Sequence, residues 1–95
     1  MIHILASFKV KNDKLSDFIK LCNELIEESR KEEGCVSYHL QQNTERENYL
    51  VFVEEWKSNE AIEKHNASGH FTRIVPLLVE MCESAPIIQT FNKLV

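Results

Sequence analysis

Between Asn48 and Phe71 the chain reads NYLVFVEEWKSNEAIEKHNASGHF, and side chains that handle protons and aromatic rings crowd into it. Glu54 brings a carboxylate, Trp56 an indole, and His65 and His70 two imidazoles. An imidazole titrates at about pH 6.5 when unperturbed, so it moves protons at neutral pH. Indole and phenol side chains stack on rings while offering one hydrogen-bonding handle. Together these groups suit proton removal from an electron-rich phenol and stabilisation of negative charge developing on oxygen. An enediol isomerisation draws on the same groups: a base, an acid and an anion-stabilising donor. The residues alone do not separate the two chemistries.

The elements around this stretch decide whether its side chains meet. Ile2 to Val10 alternates, with Ile4, Ala6 and Phe8 on one face and His3, Leu5 and Ser7 on the other, the period of a strand. Leu15, Phe18, Ile19, Cys22, Leu25 and Ile26 recur at the spacing of one helix face, and Asn12 or Asp13 is placed to cap that helix. Gly34 follows its end, where a left-handed residue would close it. Cys35 to Gln42 is a second strand on which Tyr38 and His39 point to opposite faces, so at most one of them lines a given pocket. A polar connector leads to a third strand, Tyr49 to Trp56, apolar on both faces. Such a strand needs cover on both sides, and a second copy of the sheet is the expected cover on one. Ser58 is placed to cap a helix that turns Ala61, Ile62 and His65 inward. Ser68 and Gly69 interrupt the chain before a further helical stripe from Phe71 to Cys82. Pro76 inside that stripe predicts a break or a kink. Ile87 to Val95 alternates as the last strand.

That order is the βαββαβ split unit of the ferredoxin-like α+β fold, an antiparallel sheet with helices on one face. Its 95 residues make one domain, spanning 1–95. A domain of this size buries only about 60–65% of its unfolded surface, and partner subunits often supply the rest. A net charge of −4 without a basic run argues against nucleic acid and anionic membrane surfaces. No apolar run approaches the ~20 residues that span a bilayer. The N-terminus lacks a signal-peptide layout, and Cys22, Cys35 and Cys82 read as reduced thiols, so a cytoplasmic location is expected.

Three segments, Glu33-Gly34-Cys35-Val36-Ser37-Tyr38, Val53-Glu54-Glu55-Trp56 and Ala61-Ile62-x-x-His65-x-x-Ser68-x-His70-Phe71, together resemble the antibiotic biosynthesis monooxygenase family. The resemblance covers nearly the whole chain. It implies a dimeric α+β barrel and oxidation of quinols or related polycyclic phenols by dioxygen, with no cofactor. The same family includes an isomerase of a phosphorylated autoinducer-2 type signal. Partners expected on this basis are a second copy, joined through the sheet face, and a small aromatic or quinol-like substrate. A non-catalytic dimeric module that binds a small ligand is the contrasting reading.

The candidate catalytic residues are therefore His65, Trp56 and Glu54, with Tyr38, His39, His70, Phe71 and Phe52 as candidate substrate-binding residues. Each has a plainer alternative. His65 could be a core histidine satisfied by one hydrogen bond, and Trp56 simply core. Glu54 could be a strand-end carboxylate paired with a lysine or with the partner subunit, and His70 merely solvated. No metal is expected, because His65 and His70 lie five apart with no carboxylate in a recognised ligand frame. An enzyme predicts an apolar cavity lined by Trp56 and His65, whereas a bare module predicts that they pack with no cavity.

Overall fold

A computed structural model describes residues 1–95. The order is β1 (Ile2–Lys9), a single 3-10 turn (Asn12–Lys14), α1 (Leu15–Arg30), β2 (Cys35–Gln42), β3 (Tyr49–Trp56), α2 (Asn59–Asn66), α3 (Gly69–Glu80) and β4 (Ile87–Asn92). The strands form one antiparallel sheet in the order β2-β3-β1-β4. This is the ferredoxin-like α+β arrangement expected from the pattern of the chain. No helix is long and apolar enough to cross a membrane.

The period-2 alternation separates the two faces of the sheet. Ile4, Ala6 and Phe8 of β1, Tyr38 of β2, and Leu50, Phe52, Glu54 and Trp56 of β3 are all buried beneath the helices. From the helix side Phe18, Cys22 and Leu25 of α1 and Ile74 and Leu78 of α3 close the core. Phe8 joins the layers, its ring 5.5 Å from Phe18 and 5.7 Å from Phe52. β4 pairs with β1 at the sheet edge, in register Ile4 with Thr90 and Ala6 with Ile88, yet all six of its residues are exposed.

Four local expectations resolve differently from the sequence reading. Neither Asn12 nor Asp13 caps α1, which begins from the 3-10 turn without a side-chain cap. Gly34 is not left-handed, since no residue has positive φ. Its glycine is needed for space: a Cβ there would lie 2.3 Å from Ala61 Cβ on α2. α3 runs unbroken through Pro76, an exposed position where the missing donor leaves only the Thr72 carbonyl without its helical partner. β4 ends at Asn92, three residues before the end of the alternating pattern. The serine caps do form, Ser58 Oγ accepting from Ala61 N–H and Ser68 Oγ from Phe71 N–H. Together they fix where α2 and α3 start, and so where the two histidines sit.

Candidate active site

His65 lies six residues into α2 and is turned inward by the Ala61–Ile62 face. Only 2% of its surface is exposed. Its ring centroid stands 4.4 Å from Trp56, 5.4 Å from Tyr38 and 5.0 Å from Phe71, so aromatic groups grip it on three sides. Its Nδ1 lies 2.7 Å from Oε2 of Glu32, in the connection between α1 and β2. His70, one residue into α3, places Nε2 2.8 Å from the same oxygen. An ionised carboxylate only accepts, so both imidazole nitrogens carry their protons toward it. The other nitrogen of His65, Nε2, is thereby left as an acceptor; it is buried and has no hydrogen-bond partner.

That nitrogen belongs to a residue lining a cavity of about 320 Å³ between the sheet and helices α2 and α3. The walls are mostly apolar. Ile4, Ala6, Phe8 and Phe52 form the floor, and Leu25, Ile62, Phe71 and Val75 form the helix side. Tyr38, Glu54, Asn66, Thr90 and His65 bring the polar groups. Ile88, 56% exposed, and Thr90, also exposed, line the β4 side, which is therefore the mouth.

Glu54 is buried on the strand face that carries Phe52 and Trp56, and its Oε1 accepts a hydrogen bond of 2.9 Å from the Trp56 indole N–H. Burial pushes its carboxyl up to about 7; the indole N–H opposes this, and the charge of Glu32 adds to it. Burial also moves His65 in the direction of the neutral ring, below its ordinary value, against the pull of Glu32. The phenol of Tyr38 is pushed above its usual range by burial and stays protonated. The cavity thus holds an uncharged imidazole acceptor, a carboxyl poised to be protonated near neutrality, and a neutral phenol. Two titratable groups displaced in opposite directions are what acid–base work on one substrate needs.

Of the residues singled out in the sequence, His65, Glu54, Tyr38, Phe52 and Phe71 line this cavity. Trp56 does not; fully buried behind His65, it orients Glu54 and packs the imidazole. His70 also stays off the cavity wall and acts on Glu32. His39 stands on the opposite face of β2, exposed, with Nδ1 3.2 Å from Nη2 of Arg30. Sequence reasoning passed over Glu32. It sits beyond the end of α1, 33 residues before His65, where no periodicity says which way a side chain points. The carboxylate absent from the local His65–His70 frame arrives from there.

The sequence pattern of the family described as antibiotic biosynthesis monooxygenase matches residues 1–77. The chain belongs to that family. YcnE of Bacillus subtilis strain 168 is 37% identical over 87 residues, which cover 92% of this chain and 90% of YcnE. Among solved structures, a conserved protein from Methanosarcina mazei Go1 is 39% identical, with a TM-score of 0.95 over 97% of this chain and 91% of that one. A structure described as an antibiotic biosynthesis monooxygenase superposes with a TM-score of 0.96 at 28% identity, covering both chains completely. Within this monooxygenase family the fold is shared far more closely than the sequence.

Proposed function

We propose that the protein is a cofactor-independent monooxygenase acting on a quinol or related phenol, with His65 as the base. One observation carries this reading: the unpartnered Nε2 of a buried, neutral histidine on the wall of an apolar cavity, with its Nδ1 anchored by Glu32. Fixing the Nδ1–H tautomer leaves the lone pair on Nε2, the nitrogen free to meet a substrate, as a carboxylate does for a catalytic imidazole elsewhere. Nε2 takes the phenolic proton, and the resulting phenolate is electron-rich enough to reduce dioxygen. In the overall reaction a ring C–H becomes a carbonyl: one oxygen atom enters the product and the other leaves as water with two hydrogens of the substrate. Phe52 and Phe71 hold the ring, and Glu54 in its acid form donates to the oxygen-centred anion.

Two features weigh against the phosphorylated-substrate isomerase. No lysine or arginine lines the cavity. Arg73 is paired with Glu24 on the surface, and Lys57 borders a separate groove. The test is oxygen consumption by chelator-treated protein offered substituted hydroquinones and naphthols, with ¹⁸O₂ as the gas. The expected result is catalytic uptake with one labelled atom per product molecule. Tight binding with no uptake would instead make the protein a ligand-binding module.

A further inference from the structure

The meeting of Glu32 with both histidines has a second chemical meaning. Two imidazoles and a carboxylate from three separate parts of the chain point single ligand atoms at one spot, all within 4.8 Å of one another. We propose that Glu32, His65 and His70 form a binding site for a divalent first-row transition-metal ion, with zinc as the test case. Imidazole nitrogen and carboxylate oxygen are the ligands such ions take, at about 2.0–2.2 Å, which sets ligand atoms roughly 3.3 Å apart in a tetrahedral site. Here the nitrogens stand 2.7 and 2.8 Å from Oε2 and within 4.8 Å of each other, so binding needs the Glu32 carboxylate to retreat by about half an ångström and the His70 ring to close toward His65. No lysine or arginine is paired with Glu32; its ion-pair partners are the two histidines.

The approach is polar. Glu32 lines a surface groove of about 420 Å³ together with Glu33, Ser58 and Glu60 and two lysines, Lys57 and Lys64, neither of them paired with Glu32, so hydrated cations reach it without crossing the apolar cavity. Water from this side would complete the coordination. The cluster is anchored from behind, since His65 is packed between Trp56 and Phe71 and cannot swing away. Only the Glu32 and His70 side chains, each about one-sixth to one-fifth exposed, need to adjust.

Metal on Nδ1 would displace the proton held there, and the neutral ring would then carry it on Nε2. The cavity would face an N–H donor where the metal-free protein offers a lone pair. This consequence, inhibition of phenol oxidation by zinc, rests on the oxygenase reading above; metal binding itself does not.

The test is calorimetric titration of zinc chloride into chelator-stripped protein near pH 7.5, with cobalt(II) absorption as a second readout. One ion per chain is expected, with affinity falling at least tenfold in both Glu32→Gln and His70→Ala and unchanged in Cys35→Ser. Cobalt is expected to give ligand-field bands without a thiolate charge-transfer band. That readout needs no variant, and thermal melts of the metal-free variants establish that they fold. Absence of binding tighter than about 1 mM, wild-type affinity retained in both site variants, or a thiolate band would each overturn the proposal. Because the readout is binding, its failure leaves the oxygenase reading intact, and failure of oxygen uptake leaves the metal site intact.

Discussion

Glu54 and Trp56 form a buried pair whose energetics are readable by titration. The carboxyl of Glu54 is raised from 4.5 to about 7, so the folded state holds its proton more tightly than the unfolded chain does. Below pH 4.5 both states are protonated and the group is neutral in its effect; as pH rises to about 7 the unfolded chain ionises first and stability falls. The loss is on the order of 3 kcal/mol by pH 8. Glu54→Gln keeps an acceptor for the indole and removes the charge, so urea melts of this variant are expected to lack that decline between pH 5 and 8. A parallel decline in both proteins would assign it to other groups. Trp56→Phe removes the hydrogen bond that lowers the Glu54 pKa, and the carboxyl carbon of Glu54, followed by NMR, is expected to titrate higher than in the wild type. At this scale the period-2 pattern made the shared face of Phe52, Glu54 and Trp56 legible, and the helical stripe turned His65 inward. It also set His39 on the far side from Tyr38. Period-2 spacing gives a face but not a partner, which is why the contact of His65 with Glu32 could not be read from the pattern.

The helices and their starts were legible because their signals are local. Ser58 and Ser68 sit where a side-chain oxygen meets an otherwise unpaired N–H three residues on, and both caps form. Gly34 was misread because the same residue type serves two needs, a left-handed turn or a close approach, and only tertiary contact tells them apart. The connection at Gly34 packs so tightly on α2 that Gly34→Ala forces its Cβ against Ala61. Overpacking of this kind costs about 1–3 kcal/mol, and Ala61→Gly in the same chain is expected to recover most of it. Denaturant melts of the two single variants and the double variant check this; no recovery in the double would mean that the strain lies elsewhere. Pro76 is the other departure. An exposed helix position tolerates the lost donor when Ile74 and Leu78 on either side are fully buried, since packing of that face holds the turn.

For the whole molecule, element order was enough to give the ferredoxin-like sheet and its buried face. The other face has no cover within the chain. Leu5, Val51 and Val53 are half-buried there, and Ile87 and Phe91 are 63% and 45% exposed. We expect two copies to pair through it. Sedimentation at micromolar concentration should give a dimer, and Phe91→Asp should weaken association at least tenfold; a wild-type monomer would refute the pairing. What joins the scales is His65, which one face of the sheet, two capped helices and a distant carboxylate hold on the cavity wall with one nitrogen unpartnered. The most direct test is steady-state oxygen uptake with a quinol substrate, comparing wild type with a folded His65→Ala variant. General-base catalysis contributes roughly 10²–10⁴-fold, so a fall of at least tenfold is expected. An unchanged rate would contradict it and return His65 to the core as a packing residue.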